Sequence, residues 1–195
     1  MYPPTWALGG STRLSLEDFF AEFSRAWSRT ESRFLKLECW QSYREVETNR
    51  SQMAYEGGDI GKARELLKQE AEADRPLYED VRSRNLEYSR IRLLQEPLTS
   101  YLEYELLSYQ IRAEMGEGIE VVRRDSGMEL PNEEHFDFLL FDRHTALIHD
   151  YGKGSSGQQA GGWLVRGDEG IAFLEKRAMA LRSMALPLDQ YLRGY

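Results

Sequence analysis

Hydrophobic and polar positions follow two different periods along this chain. Apolar side chains recur at helical spacing over residues 16–28, after Ser15 as an N-cap, and predict a helix with one wide aromatic face. Over residues 34–40 the period falls to two, which predicts a strand with Lys36 and Glu38 on its polar side. The other predicted elements are two helices within 59–85, helices over 97–115 and 171–184, strands over 89–95, 119–123 and 163–165, and a hairpin of strands 136–141 and 145–151.

This succession of elements predicts an α/β fold with a single mixed sheet flanked by helices and an N-terminal helical extension. The length of 195 residues suits one substantial core. We expect one compact domain in three parts: a flexible arm over residues 1–14, a helical region with one strand over 15–88, and an α/β core over 89–195.

The most informative stretch of the chain is residues 90–105, where a predicted strand passes into a predicted helix. Pro97 suits the first position of that helix. Such junctions in α/β proteins often face a pocket. From this stretch and the predicted hairpin we select as ligand-binding candidates Arg92, Glu96, Thr99, Tyr101, Tyr104, Asp137 and Tyr151.

Composition narrows the classes of partner. A net charge of −8 argues against a protein that coats the phosphate backbone of nucleic acid, so we expect no nucleic-acid partner other than tRNA unless a local basic patch provides one. Cys39 is the only cysteine, which excludes an internal disulfide and a cysteine-based zinc site and suits the cytoplasm. No apolar run reaches the roughly 20 residues of a membrane span. The histidines lack helical i, i+4 spacing and no phosphate-loop motif is present, so neither a metal nor a cofactor is predicted.

The segment from His135 to Asp142 has a motif-like spacing, with a histidine, Asp137 two residues later, and an aspartate near the end of a predicted strand. It resembles the signature of the phospholipase D-like superfamily, whose α/β sandwich often works as a dimer. In that family the histidine attacks a phosphodiester and a lysine at the second position neutralises the phosphate. Asp137 takes the lysine position here, and two like charges about 4 Å apart repel by about 1 kcal/mol in water. The resemblance therefore implies a degenerate sandwich without phospholipase D chemistry, and the alternative is that these carboxylates are solvated strand ends.

Three side chains are candidates for catalysis. Glu105 lies four residues after Tyr101 on the predicted helix, so the two share a face and could line a pocket with Arg92. His149 ends a predicted strand beside a glycine-rich loop, where a general base could meet a ligand. Asp142 follows the preceding strand. The alternative interpretation is that the histidine is only hydrogen-bonded and that the tyrosines pack with wet hydroxyls.

Several blocks of sequence resemble, in order, an actinobacterial family of uncharacterised proteins. The blocks are residues 90–106, 116–121, 137–143 and 148–151. The family is a domain of unknown function whose members tend to be encoded beside helix-turn-helix regulators and small acidic partner proteins. The resemblance covers most of the chain and implies no established activity.

The sequence leaves competing functions open. The first is a non-catalytic or regulatory binding module that recognises a small-molecule ligand or a protein partner, with the aromatic face of helix 16–28 serving homodimer formation or partner docking. Asp137 and the lack of a complete catalytic set favour it. The alternative is an enzyme, either a transferase using an activated acyl or aminoacyl-tRNA donor or a divergent phosphodiester-handling protein. Direct binding of DNA or RNA is a third hypothesis, which the net charge disfavours.

Overall fold

The structure, a computed structural model, describes residues 3–43, 49–124, 135–152 and 158–194. In these ranges seven α-helices flank a single eight-stranded mixed sheet, which confirms the predicted α/β class. The strands are β1 Thr12–Ser15, β2 Arg33–Glu38, β3 Glu87–Gln95, β4 Gly118–Arg124, β5 Phe138–Phe141, β6 Thr145–Asp150, β7 Gly161–Val165 and β8 Leu186–Pro187. The helices are α1 Leu16–Arg29, α2 Arg50–Glu56, α3 Ile60–Ala73, α4 Arg75–Ser83, α5 Ser100–Met115, α6 Asp168–Arg182 and α7 Leu188–Arg193. Within the described ranges none of these helices combines the length and apolar character needed to cross a membrane.

The order of the strands across the sheet is β1-β7-β6-β5-β2-β3-β4-β8. Pairing is parallel between β2 and β3 and between β3 and β4, and it is antiparallel elsewhere. Helices α2 to α4 connect β2 to β3, and α5 connects β3 to β4, as the crossovers of parallel strands require. Because β2 lies between β5 and β3, the predicted parts 15–88 and 89–195 contribute strands to one sheet.

The two faces of the sheet are covered differently. One face carries apolar side chains of the central strands, such as Leu37 and Ile91, and packs against α6 in a continuous core. The opposite face is apolar at its two ends, where Phe19 of α1 packs at one end and Leu102 of α5 at the other. Charged side chains of β2 and β3 lie between these two apolar ends.

Two boundaries differ from the predicted ones. The sequence pattern places no strand in residues 1–14, whereas β1 begins at Thr12 and pairs antiparallel with β7. Four residues are too few for period-two alternation to stand out. Helix α5 begins after Thr99 rather than at Pro97, because the Thr99 hydroxyl accepts a hydrogen bond from the amide of Leu102 at 3.2 Å.

Candidate ligand-binding site

A cavity of about 720 Å³ lies over the partly polar face of the sheet, between α1 and α5. Its floor is formed by β2, β3, β5 and β6, and α3 contributes to its wall. A volume of this size suits a small organic molecule. The lining side chains that bear on its chemistry are Lys36, Glu38, Trp40, Tyr43, Arg90, Arg92, Tyr101, Tyr104, Glu105, Tyr109, Arg112, Asp137, His149 and Tyr151.

Charged side chains occupy the centre of the floor because of the register between β2 and β3. Lys36 lies opposite Arg90, and Glu38 lies opposite Arg92. Successive side chains of a strand point to opposite faces, so alternate positions on both strands reach the cavity. The polar side of β2 in the sequence pattern therefore faces an internal cavity, which α5 partly covers.

Arg90 is buried within a complete ion-pair network. Its Nη1 lies 2.6 Å from Oε2 of Glu38, and its Nε lies 2.7 Å from Oε1 of Glu117. Lys36 adds a contact of 2.6 Å between its Nζ and Oε1 of Glu38. Burial acts to raise the pKa of Glu38, but Arg90 and Lys36 outweigh it and hold that pKa well below its usual range. The charge of Arg90 is thus neutralised within the fold.

Arg92 lies two residues further along β3 and has a different environment. It is 1% exposed, and its Nη2 donates a hydrogen bond to the carbonyl oxygen of Trp40 at 2.5 Å. Its Nε and Nη1 are buried without a hydrogen-bond acceptor. A buried guanidinium with two unsatisfied N–H groups is unfavourable until an acceptor reaches it. Among the lining residues, Arg92 is therefore the one whose unsatisfied N–H groups are best suited to bind an anion.

A single tyrosine hydroxyl bridges two carboxyl groups beside Arg92. The Tyr109 hydroxyl oxygen lies 2.8 Å from Oε2 of Glu38 and 2.5 Å from Oε2 of Glu105. A hydroxyl has one proton, so it cannot donate to both carboxyl groups. Burial, together with the nearby charge of Glu38, raises the pKa of Glu105. The contacts are satisfied when Glu105 keeps its proton and donates it to Tyr109, which then donates to Glu38.

Four aromatic side chains, Trp40, Tyr43, Tyr101 and Tyr151, line the cavity near Arg92, and we call them the aromatic wall. The rings of Trp40 and Tyr151 are stacked, with centroids 5.0 Å apart and planes at 24°. Tyr43 meets Tyr151 edge to face at 6.0 Å and lies 6.2 Å from Tyr101. Nε1 of Trp40 is a buried donor without an acceptor. Trp40 therefore accepts the hydrogen bond of Arg92 with its carbonyl oxygen and carries an unsatisfied N–H donor in its side chain.

Asp137, which takes the lysine position of the phospholipase D-like pattern, holds the aromatic wall in place. Its Oδ1 accepts hydrogen bonds from the amides of Cys39 and Trp40 at 2.6 and 3.0 Å. Its Oδ2 accepts one from the Tyr151 hydroxyl at 2.7 Å. Both oxygens are therefore occupied, and the side chain positions the two stacked rings.

Asp142 lies at the opposite end of β5 from Asp137 and does not line the cavity. Its carboxylate accepts hydrogen bonds from the amides of residues 31–33 at 2.8 to 3.0 Å. Burial acts to raise its pKa, but these amides outweigh it and lower that pKa. His135 is buried and also lies outside the cavity lining. The spacing that resembles a catalytic signature therefore does not bring a histidine and an aspartate together at this cavity.

His149 lines the cavity, with both ring nitrogens shielded from solvent. Its ring is stacked on Tyr151, with centroids 5.8 Å apart and planes at 8°. Burial, assisted by the charge of Lys36, lowers the pKa of His149 to about 4. The imidazole is therefore neutral at physiological pH. In the described part of the chain, no three His, Cys, Asp or Glu side chains are grouped closely enough to hold a metal ion.

The fold brings most of the site residues selected from the sequence into one cavity. Those that line it are Arg92, Tyr101, Tyr104, Glu105, Asp137, His149 and Tyr151. Glu96, Thr99 and Asp142 lie outside the lining. Glu96 instead forms an ion pair of 2.8 Å with Arg123, and the Thr99 hydroxyl donates to the carbonyl of Gln41 at 2.7 Å.

Sequence reasoning missed several charged and aromatic residues of the site: Lys36, Glu38, Trp40, Arg90 and Tyr109. A signal for the charged ones was present, because two neighbouring predicted strands each carry ionisable residues at alternate positions. Charges on the inner strands of a sheet need partners or a cavity, since both faces of such strands are covered. Tyr109 lies four residues after Glu105, so helical spacing alone could have placed it at the site.

Similarity to known proteins was found at the level of a family and of distant solved structures. No match to a curated protein was found. TrmBL2, an archaeal chromatin protein whose structure shows a novel mode of DNA binding, aligns over 90% of this chain at 9% identity with a TM-score of 0.43. The chain spans 53% of the length of that protein. Residues 21–193 match the family described as Domain of unknown function (DUF6879), and because that match covers most of the chain, the protein belongs to this family.

Proposed function

We propose that this protein is a binding module for a small organic anion, which occupies the cavity between α1 and α5. The observation that carries the proposal is Arg92, whose buried guanidinium keeps two N–H groups without an acceptor. Carboxylate and phosphate groups accept two parallel hydrogen bonds from a guanidinium and supply the missing charge. Binding of such a group would give Arg92 two hydrogen-bond acceptors and a neighbouring negative charge.

The neighbouring charges support an anion rather than a cation at this position. Glu38 is already paired with Arg90 and Lys36, and burial together with the charge of Glu38 raises the pKa of Glu105, which favours its uncharged form. Arg112, the other arginine of the lining besides Arg90, is paired with Asp74 at 2.9 Å. Asp137 has both oxygens occupied by amide and hydroxyl donors, so Arg92 is the charged side chain among these that keeps unsatisfied hydrogen-bonding groups.

A calorimetric titration of the purified full chain tests this proposal. The probes are acetate, inorganic phosphate, benzoate and phenyl phosphate at constant ionic strength, with thermal unfolding as a second readout. We expect at least one probe to bind and to raise the melting temperature, and we expect Arg92→Met to abolish both effects. Arg112→Met is the matched control, because it removes a lining arginine that already has a partner.

The result that would contradict the proposal is specific. If Arg92→Met binds the same probes as tightly as the wild-type chain, Arg92 does not bind the anion. If the wild-type chain and Arg92→Met respond alike to every probe, the unsatisfied N–H groups of Arg92 do not form an anion site and the proposed function is wrong.

A second candidate function is an enzyme that acts on the bound anion, such as a transferase of an acyl group. The observation that favours it is Glu105, a carboxyl group beside Arg92 whose pKa is raised by burial and by the charge of Glu38, as suits a general acid. We rank it below binding because Asp137 has both oxygens occupied and Asp142 and His135 lie outside the lining. For an enzyme, Glu105→Gln would keep the affinity for the anion and lose turnover of an activated acyl donor.

A further inference from the structure

The aromatic wall is preorganised around the guanidinium of Arg92. The backbone of Trp40 is fixed from two sides, because its carbonyl accepts from Arg92 and its amide donates to Asp137. The hydroxyl of Tyr151 is fixed by the same aspartate. Trp40 and Tyr151 are therefore held in a stacked arrangement without a ligand. The entropy cost of ordering these side chains is then small when a ligand packs against them.

Three unsatisfied donors of this region lie in two residues that are in contact, Arg92 and Trp40. Nε and Nη1 of Arg92 and Nε1 of Trp40 are all buried without an acceptor. Two N–H groups of a guanidinium suit an oxyanion, and an indole N–H suits a single further acceptor. A ligand that accepts hydrogen bonds from all three donors would have its charged group at Arg92 on β3 and its remaining atoms beside the indole of Trp40.

We infer that the anion bound at Arg92 is carried on a planar aromatic or heteroaromatic ring, which packs against the aromatic wall. This inference rests on the proposed function. An aromatic ring packs on other rings through stacked or edge-to-face contacts that are worth more than the burial of the same area. A saturated ring of the same size and charge would bury similar area but would lose that preference. The floor of the cavity around Arg92 is polar, with Lys36 and Glu38 beside the two arginines, whereas Phe19, Phe23 and Leu139 line a more distant part.

Matched pairs of probes separate the contribution of the aromatic ring to affinity from that of the charged group. Benzoate is compared with cyclohexanecarboxylate, and phenyl phosphate with cyclohexyl phosphate, by titration calorimetry of the full chain at constant ionic strength. We expect the aromatic member of at least one pair to bind about tenfold more tightly, as two aromatic contacts would give. The pair that shows the larger preference identifies the headgroup as carboxylate or phosphate.

Two tyrosine variants test whether the aromatic wall is the cause. Tyr43→Leu should reduce the preference for the aromatic probe by about threefold or more, because it removes one ring of the wall and keeps an apolar side chain. Tyr55→Leu is the matched control, since Tyr55 is also partly exposed but does not line the cavity. It should leave the preference unchanged.

The outcomes distinguish this inference from the proposed function. Equal binding of aromatic and saturated probes, lost in both cases in Arg92→Met, would overturn the aromatic ligand and keep the anion site. An aromatic preference that Tyr43→Leu leaves unchanged would overturn the role of the aromatic wall. Binding of no probe in an Arg92-dependent way would overturn both.

Discussion

At the scale of single residues, Arg90 and Arg92 make the sharpest contrast in the molecule. Both are buried on the same face of β3, but Arg90 has two carboxylate partners and Arg92 has a backbone carbonyl. Removing one partner of a buried ion pair leaves the other charge uncompensated, whereas removing Arg92 leaves no carboxylate without a hydrogen-bonded partner. The two arginines should therefore respond to the same substitution with stability losses of different size.

We expect Arg90→Met to lower the free energy of unfolding by about 3–5 kcal/mol, because it leaves Glu38 and Glu117 buried without their arginine. Arg92→Met should lower it less, because the hydrogen bond that it removes is made to the carbonyl of Trp40 and not to a carboxylate. Urea unfolding of both variants, followed by circular dichroism, measures the difference. Equal destabilisation by both substitutions would mean that Arg92 stabilises the fold as strongly as an ion-paired arginine, and it would weaken the assignment of an anion site.

The residue scale also shows what the sequence could not predict at the site. Arg92 and Glu105 were predictable, because strand and helix periods place them at a junction that faces a pocket. The partner of each charge was not, because Glu117 reaches Arg90 from the loop that follows α5 and Asp137 reaches Trp40 across the sheet. These contacts depend on strand register, which no local pattern in the sequence reports.

At the scale of elements, Asp142 fixes the turn between α1 and β2 to the β5–β6 hairpin. Its carboxylate accepts hydrogen bonds from the amides of residues 31–33, and these amides lower its pKa. A group with a lowered pKa in the folded state stabilises the fold above its unfolded pKa, and this contribution disappears as pH falls through the folded pKa. The stabilisation by Asp142 should therefore be complete at neutral pH and lost in acid.

Asp142→Asn tests this expectation through its pH dependence. At pH 7 the variant should be less stable than the wild-type chain by about 1–2 kcal/mol, since a neutral amide oxygen is a weaker acceptor than a carboxylate. The difference should shrink as pH falls below about 4, the ordinary pKa of an aspartate. Glu65→Gln, an exposed carboxylate on α3, is the control and should show no such trend. A difference between Asp142→Asn and wild type that stays constant down to pH 2 would contradict the role of the charge.

The long helices α1, α5 and α6 were predictable from the sequence, although only α1 is strongly amphipathic. Short elements were not predictable, because β1 and β8 have four and two residues, too few for a period to stand out. The order of the strands could not be read from the chain either. The antiparallel hairpin was predictable from its short turn, but the position of β2 between β3 and β5 joins segments that are far apart in sequence.

At the scale of the whole molecule, one face of the sheet supplies stability and the other supplies the site. The face under α6 is a continuous apolar core, whereas the opposite face has apolar packing at its ends and charged strands in the middle. Helices α1 and α5 cover those apolar ends and leave the cavity between them. The fold can therefore keep an unsatisfied arginine at its centre, since the core on the other face does not depend on it.

Because Glu105 is an ionisable group beside Arg92, the affinity of the cavity for an anion should depend on pH. Glu105 faces Arg92 and Arg90 from β3, Glu38 and Lys36 from β2, and Tyr101 and Tyr109 from its own helix. Burial and the charge of Glu38 already raise its pKa, and an anion bound nearby would raise that pKa further. A binding event that raises a pKa takes up protons, so affinity is highest below the pKa of the free protein and falls as pH rises towards the pKa of the complex.

Titration calorimetry with benzoate or phenyl phosphate, in buffers of different ionisation enthalpy at one pH, measures this uptake directly. We expect the wild-type chain to take up a fraction of a proton per anion bound when the pH lies near or between the two pKa values of Glu105. Glu105→Gln should bind the anion without that uptake, because an amide mimics the protonated carboxyl and cannot titrate. Glu114→Gln, an exposed position on the same helix, should behave like the wild type. An uptake that is the same in Glu105→Gln as in the wild type, zero included, would show that Glu105 takes up no proton and would contradict the placement of the anion beside it.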